Sequence, residues 1–286
     1  MTATAPNSFR RAAGRHTVQE DPMTVRNAAA ALPRLEVTAL SKTYGSGASA
    51  KCVIEDLTFT VNTGEVVCIV GPSGVGKTTL LKCLAGLQPV TSGAAAIDGR
   101  QIDGPPAEMA LVFQDYSRSL MPWLTVRKNI RLPLRHLRLP AAELNQRIDT
   151  ALDAVGLTHA ASQYPWQLSG GMQQRVAIAR ALAYRPEILI MDEPFASVDA
   201  QTRFELEDLC LKIRDDFGMT ILVVTHDIDE AVYLSDRVVV LGAKPARVLD
   251  VVDIDLPAPR DQISSRALKE FADQRTNVLS MIRKPA

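Results

Sequence analysis

The sequence of 286 residues has no excess of either charge, since 32 lysines and arginines balance 32 aspartates and glutamates. This balance gives no general reason to expect nucleic acid as an electrostatic partner, although it leaves room for a local basic patch. The longest apolar runs, such as residues 238–241, have the length of a strand and are far too short to span a membrane. A role at a membrane would therefore require docking onto another chain.

The sequence also has few cysteines, and no two of them form a C-x-x-C pair. The four are Cys52, Cys68, Cys83 and Cys210. Such isolated cysteines are typical of small buried hydrophobic residues in a reducing compartment, and they argue against a metal site or a disulfide framework. The chain is long enough for one large domain or two small ones with a substantial core.

The first part of the sequence has no helical or strand periodicity. Residues 1–33 are rich in alanine, threonine, arginine and asparagine, which predicts a disordered tail. Arg10 and Arg11 are only superficially similar to an export signal because no apolar segment follows them, and a transit peptide remains an open alternative.

A glycine-rich segment lies between an apolar, β-branched run at 66–70 and a helical pattern at 80–85. Its residues are Gly71, Pro72, Ser73, Gly74, Val75, Gly76, Lys77, Thr78 and Thr79. Strand, glycine-rich turn and helix form the context in which G-x-x-x-x-G-K-[ST] binds phosphates. The glycines let successive backbone N–H groups face an anion, and the helix N-terminus adds about half a positive charge. An ordinary glycine-rich turn would not explain the flanking strand and helix.

The chemistry of this loop can be assigned to particular side chains. Lys77 is expected to reach the β- and γ-phosphates of a nucleotide, and the Thr78 hydroxyl to bind Mg²⁺. Asp192 and Glu193 follow the apolar run 188–191. At the carboxyl end of a parallel strand, Asp192 could hold Mg²⁺ through water. Glu193 could activate the attacking water as a general base if the strand end turns to aim it.

The hydrophobic pattern predicts an α/β fold with a P-loop NTPase core. Alternating residues at 35–40 and 51–61 predict short antiparallel strands that form a flanking β-layer. Short apolar runs at 109–113, 188–191 and 220–224, with helical patterns between them, predict parallel strands of a doubly wound sheet.

The domain boundaries follow from changes in this pattern. We expect a main domain at 34–260, with an inserted helical subdomain at about 118–168 where the composition becomes helical. A helix is predicted at 261–286, and Ser264 or Ser265 could form its N-cap.

Ser169, Gly170 and Gly171 precede a helical pattern and could form a second anion site at a helix N-terminus. The sequence thus contains one complete phosphate loop but two candidate anion sites, which leaves two possible roles for the second site. The second site is an unused cap, or it binds a nucleotide held by another copy of the chain.

Taken together, the motifs resemble the ATP-binding subunits of ABC transporters, over residues 35–259. They occur in that family's order: Tyr44, the glycine loop, Gln114, the signature segment 168–175, Asp192 with Glu193, residues 197–199, and His226. The resemblance implies ATP and Mg²⁺ as cofactors and a homodimer of head-to-tail subunits. In that arrangement the signature segment of one subunit contacts the nucleotide bound by the other.

The resemblance also assigns roles to single residues. Tyr44 would stack on adenine, its alternative being an aromatic residue of the core. Gln114 would contact Mg²⁺ or the attacking water, and His226 would hydrogen-bond the γ-phosphate. Ser169, Gly170 and Gly171 would bind the γ-phosphate in trans, and Asp199 would link the two sites. Residues 195–199 depart slightly from the family's pattern, which affects only the expected conformation of that loop.

Within the family, segments at 113–116, 120–126, 226–232 and 255–261 resemble importers of the nitrate, sulfonate and taurine type. This implies a peripheral subunit on the cytoplasmic face of the membrane, with integral-membrane permease subunits as partners, a solute-binding protein as an indirect partner and no nucleic acid. Trp123 would lie where a permease helix docks, or it would pack inside the helical subdomain. The alternatives are an importer of another small organic cargo, an exporter ATPase, and a soluble ATPase acting on nucleic acid.

Overall fold

Two β-sheets organise the fold in the computed structural model, which describes residues 33–115, 119–242 and 244–283. The strands are β1 (Pro33–Tyr44), β2 (Lys51–Asn62), β3 (Val66–Val70), β4 (Ser92–Ile97), β5 (Arg100–Gln101), β6 (Met109–Val112), β7 (Ile188–Asp192), β8 (Thr220–Val224), β9 (Arg237–Leu241) and β10 (Val248–Asp253). The helices are α1 (Lys77–Leu84), α2 (Val126–Arg131), α3 (Ala141–Ala154), α4 (Gly170–Tyr184), α5 (Ala200–Phe217), α6 (Ile228–Leu234) and α7 (Lys269–Arg283). Apart from Pro33, the predicted tail lies outside the described residues.

The larger sheet has the strand order β10-β9-β3-β8-β7-β6. Its strands are parallel except β10, which pairs antiparallel with β9. Every residue of β3, β7 and β8 is buried, which explains why these strands are continuous apolar runs instead of alternating ones. The smaller sheet is antiparallel, with the order β2-β1-β4-β5. The prediction of a P-loop NTPase core with a flanking antiparallel layer is confirmed.

Helix α1 packs between the two sheets. Its Leu80 and Leu84 share a buried cluster with Leu35 of β1, Ile54 of β2 and Ile69 of β3. A second cluster, on the other face of the larger sheet, contains residues of α4, α5, α6 and α7. Because the parallel strands share one direction, the carboxyl ends of β3, β6, β7 and β8 meet at one edge of the sheet, where α1 also begins.

Residues 119–168 contain α2, α3 and short 3₁₀ turns, and no strand is found in this described stretch. Buried Asn129 fixes the segment that enters α2, because its side chain accepts from the Met121 N–H at 2.8 Å and donates to the carbonyls of Met121 and Leu124. Helix α4 packs on both α2 and α3. The helical character predicted for this part of the chain is present.

The C-terminal helix begins at Lys269 instead of Asp261, and the predicted serine caps are wrong. Asp261 forms a turn by accepting hydrogen bonds from the N–H groups of Ile263 and Ser264 and from the Ser264 hydroxyl. The Ser265 hydroxyl accepts from the Asp261 N–H at 2.9 Å. Both serines therefore stabilise a turn ahead of the helix. None of the helices in the described ranges combines the length and the apolar character needed to cross a membrane.

Candidate nucleotide-binding site

The phosphate loop, residues 71–76, joins the end of β3 to the start of α1. Gly74 and Gly76 have φ angles of 70° and 128°, which favour glycine. A Cβ at Gly71 would lie 2.9 Å from the Leu241 carbonyl oxygen, so a side chain is sterically excluded there. Backbone conformation thus explains glycine at positions 74 and 76, and close packing explains it at position 71.

Lys77, the first residue of α1, folds back over this loop. Its Nζ donates to the Gly71 carbonyl at 2.8 Å, and the residue is only 6% exposed. Burial lowers the pKa of Lys77, while the carboxylates of Glu193 and Asp192 act in the opposite direction. The ammonium group therefore lies in a partly desolvated position, where a phosphate would form a stronger interaction than a carbonyl oxygen.

An open cavity of about 290 Å³ lies beside the phosphate loop. Its lining includes six residues that the sequence predicts for a nucleotide site: Gly74, Val75, Gly76, Lys77, Thr78 and Thr79. Glu193 lines it as well. These six residues and the predicted general base therefore face one space, whereas Gly71, Pro72 and Ser73 do not line it.

Four further residues, Lys51, Cys52, Val53 and Lys244, line the cavity and were not predicted. The first three begin β2, and a Cβ at Gly76 would lie 3.1 Å from Val53 Cγ1, so this strand start lies directly against the phosphate loop. The alternating pattern at 51–61 predicts this strand, but it does not predict that the start of the strand lies against the phosphate loop. Cys52 is exposed, contrary to the expectation of buried cysteines, which holds for the other three.

The strand end that carries the two acids turns sharply. Asp192 is the last residue of β7, and Glu193 has a φ of 42°, a left-handed conformation that is uncommon for glutamate. Its N–H donates to the Val224 carbonyl at 2.7 Å, which holds the turn against β8. The turn that the alternation of the strand requires is present, and strain of this kind is typical of functional sites.

Gln114 and His226 converge on the Glu193 carboxylate. Gln114, just after β6, donates through Nε2 to Glu193 Oε2 at 3.1 Å. His226, just after β8, places Nδ1 3.3 Å from the same oxygen. The ends of three neighbouring strands thus bring together the predicted general base, a polar amide and an imidazole.

The residues predicted to bind Mg²⁺ form a compatible set of oxygen donors. The Thr78 hydroxyl hydrogen-bonds the Asp192 carboxylate. Burial raises the pKa of Asp192, and the nearby Glu193 carboxylate raises it further. The hydrogen bond from Thr78 and the charge of Lys77 lower this pKa in part. A partly desolvated carboxylate whose charge is incompletely compensated would be stabilised by a cation. Hydroxyl, carboxylate and amide oxygens are the hard ligands that Mg²⁺ prefers. Thr78, Asp192 and the Gln114 amide oxygen therefore fit this ion.

Tyr44 lies at the end of β1, paired across the strands with Lys51. Its side chain is 38% exposed, and its hydroxyl donates to Gln88 Oε1 at 2.5 Å. The Lys42 ammonium lies 5.1 Å from its ring centroid. The alternative of a core aromatic residue is wrong. Tyr44 does not line the cavity, although Lys51, its partner, does.

The signature segment lies apart from this cavity, because none of its predicted contact residues lines it. Ser169 is exposed and caps α4 by accepting from the Met172 N–H at 3.3 Å. A Cβ at Gly171 would lie 2.3 Å from Thr202 Cγ2, so Gly171 also has a packing reason. Asp199 caps α5, and hydrogen bonds from Thr202 lower its pKa.

Two tryptophans project from the helical part of the chain. Trp123 is 71% exposed, so the alternative of packing inside the helical subdomain is wrong. Trp166, which was not predicted, is also exposed, and its ring stacks on Tyr164 with centroids 6.0 Å apart. Aromatic residues in contact with solvent are typical of interaction surfaces.

Helix α6, which follows His226, carries the buried acid Glu230. It is 4% exposed, and its Oε1 has no hydrogen-bond partner among the described residues. Burial raises the pKa of Glu230 well above its usual range, and the nearby carboxylates of Glu207 and Asp227 raise it further. The folded protein therefore retains a proton on this carboxyl group to a higher pH than the unfolded chain does.

We expect the variant Glu230→Gln to lose part of the pH dependence of stability. The unfolded chain releases this proton near the ordinary value of 4.5, whereas the folded protein retains it to higher pH. As the pH rises above 4.5, wild-type stability should therefore fall relative to the variant, by up to about 1.4 kcal/mol per pH unit, and level off above the folded pKa. Denaturant unfolding from pH 4 to 8 measures this, with exposed Glu270→Gln as the control. Parallel curves for wild type and Glu230→Gln would contradict the prediction.

The chain matches known proteins over most of its length. The ABC transporter family model matches residues 54–196. An uncharacterised ABC transporter ATP-binding protein of Methanocaldococcus jannaschii is 46% identical over 87% of this chain and 91% of its own length. An aliphatic sulfonates import ATP-binding protein of Bacillus licheniformis is 43% identical over 85% and 96%. A nitrate import ATP-binding protein of Synechocystis is 40% identical over 87% and 95%.

The chain is also similar to solved structures of ATP-binding cassettes. A dimeric ATP-binding cassette in a post-hydrolysis state, bound to ADP and phosphate, has a TM-score of 0.67 and 32% sequence identity to the chain, and the match covers 77% of this chain and 99% of the cassette. The chain belongs to the ABC transporter family as an ATP-binding subunit that hydrolyses ATP.

Proposed function

We propose that the chain powers an ABC importer for nitrate, a sulfonate such as taurine, or a similar small solute. The printed functions of two relatives, sulfonate import and nitrate import, support this cargo class. Two of the four segments that resemble this type of importer, 113–116 and 120–126, lie within the part of the chain that the ABC transporter family model matches. We assign residues 34–260 to the ATPase domain, with a helical subdomain at about 118–168.

The convergence of Gln114 and His226 on the Glu193 carboxylate carries the proposed mechanism. Lys77 and the backbone N–H groups of residues 71–79, apart from Pro72, which has none, would bind the phosphates of ATP, and Tyr44 would stack on adenine. Thr78, Gln114 and Asp192 would hold Mg²⁺, which neutralises charge on the β- and γ-phosphates when it is bound. Glu193 would accept a proton from the attacking water, with Gln114 and His226 orienting its carboxylate. His226 would also donate to the γ-phosphate.

We propose that two copies of the chain form one working unit. Ser169, Gly170, Gly171 and Asp199 do not line the cavity of their own subunit, which supports contact with a nucleotide bound by the partner. The similar cassette of known structure is dimeric. Two subunits would enclose two ATP molecules and separate after hydrolysis.

The membrane partner would be an integral-membrane permease, as the similarity to import ATP-binding proteins suggests. Exposed Trp123, which follows Gln114 closely in the sequence, supports a docking surface for a permease helix. The subunit would act on the cytoplasmic face, and a solute-binding protein would deliver cargo to the permease. No nucleic acid partner is proposed, in keeping with the balanced charge.

Purification of the tagged chain from detergent-solubilised native membranes tests this function. We expect a multi-span membrane protein to co-purify in stoichiometric amount, and the ATPase rate of the reconstituted complex to rise with loaded solute-binding protein. Titration of that binding protein with nitrate, sulfonates and taurine then identifies the cargo. Recovery of soluble proteins, ribosomes or nucleic acid alone would contradict the transport function, although not the ATPase chemistry.

A further inference from the structure

The loop between β9 and β10 packs against the phosphate loop. A Cβ at Gly71 would lie 2.9 Å from the carbonyl oxygen of Leu241, the last residue of β9. A Cβ at Gly76 would lie 3.6 Å from Ala246 Cβ. The two ends of the phosphate loop therefore lie against Leu241 and Ala246, which are more than 160 residues away in the sequence.

Backbone hydrogen bonds fix the position of this β9–β10 loop. The Gly242 N–H donates to the Arg247 carbonyl at 2.9 Å, which closes the loop. The Ala246 N–H donates to the Val53 carbonyl at 2.9 Å, and the Ala246 carbonyl accepts from the Glu55 N–H at 2.9 Å. The loop is thus tied to β2, whose first residues line the nucleotide cavity.

Lys244 extends from this loop into the cavity. Its Nζ lies 3.6 Å from the position that a Cβ would occupy at Gly74, in the middle of the phosphate loop. In the part of the chain that the structure describes, its ammonium group makes no ion pair. Arg247, on the same loop, differs because it pairs with Glu55 at 2.8 Å. Lys244 therefore brings a positive charge, without an ion-pair partner among the described residues, to the place where phosphates are expected.

We propose that Lys244 binds the polyphosphate of the nucleotide as a second cation beside Lys77. The inference rests on the nucleotide site proposed above, and it adds a residue outside the sequence motifs. An ammonium group is a compact charge on a flexible stem, so it can reach a phosphate oxygen from the cavity mouth. Lys77 approaches from the buried side and Lys244 from the exposed side.

This position predicts an effect on binding instead of on chemistry. A cation at the open side of the cavity would contact the phosphates in the bound ground state and in the transition state alike. Its loss should then raise KM and leave kcat nearly unchanged. A residue that acted on the attacking water would lower kcat instead.

Lys244→Met tests the proposal because it keeps most of the stem and removes the charge. We expect its affinities for ATP and ADP, measured by titration calorimetry on the full-length chain, to fall about tenfold, the effect of one charge-assisted contact at a partly exposed site. KM for ATP should rise in proportion, with kcat within about twofold of wild type. Lys244→Arg should restore most of the affinity, and the salt dependence of ATP binding should be weaker in Lys244→Met than in wild type.

Arg247→Met is the matched control, since it removes a cation from the same loop that is already paired with Glu55. We expect it to bind ATP like wild type. Equal ATP affinity in Lys244→Met and wild type would overturn the proposal, and so would a Lys244→Arg variant as weak as Lys244→Met, because the effect would then be one of shape. A wild-type chain that bound no ATP would overturn the nucleotide site itself together with this inference.

Discussion

Glu193→Gln is expected to bind ATP and to form a closed dimer that hydrolyses it at least about 10²-fold more slowly than wild type, the usual contribution of a positioned general base. The substituted amide has nearly the shape of the carboxylate, so its oxygen can still accept from Gln114. It cannot accept a proton from water. Binding and closure should therefore continue while the chemical step fails.

Three measurements on the same variant separate these effects. Phosphate release at saturating ATP gives the rate, calorimetric titration gives the affinity, and size-exclusion chromatography with ATP and Mg²⁺ gives the fraction of dimer. Glu270→Gln replaces an exposed glutamate of α7, so it is the matched control and should behave like wild type. A Glu193→Gln variant with wild-type turnover would exclude Glu193 as the base. Loss of ATP affinity in it would indicate a role in binding.

The sequence predicts best those features whose chemistry is local. Strands β7 and β8 are buried on both faces, so they appear as uninterrupted apolar runs, and the structure places them within one residue of the prediction. Lys77, Thr78 and Asp192 occur at fixed spacings from a strand, and the parallel sheet brings these strand ends together. In the same way, alternation required a turn after Asp192, and the positive φ of Glu193 provides it.

Features that depend on distant contacts could not be predicted. Val53 and Lys244 line the cavity because β2 and the β9–β10 loop pack on the phosphate loop, and no spacing in the sequence reveals this contact. Cys52 is exposed because it begins a strand at the rim of the cavity, although cysteine is usually buried. Serine often caps helices, but the Ser265 hydroxyl instead accepts a hydrogen bond from the Asp261 N–H in the turn before α7.

Lys77→Ala is expected to lower the affinity for ATP by about 10²-fold, near the upper range for a hydrogen bond to a charged group in a partly buried site. The ammonium group contributes charge that the loop amides cannot replace. Its removal also leaves the carboxylates of Asp192 and Glu193 facing the phosphates without the nearest compensating cation. Both effects oppose binding, so the loss should be large.

The same variant should not be less stable than wild type in the absence of ATP. Burial lowers the pKa of Lys77, which means that the folded protein holds this charge at a cost before a phosphate is bound. ATP at 100 times its Kd should stabilise wild type by about 2.7 kcal/mol and Lys77→Ala far less. Thermal unfolding with and without ATP measures both effects, and Lys212→Ala, which removes an exposed lysine of α5, is the control. An equal ATP-induced shift in Lys77→Ala and wild type would refute the phosphate-binding role, because a site that binds ATP without Lys77 must draw its positive charge from elsewhere in the cavity.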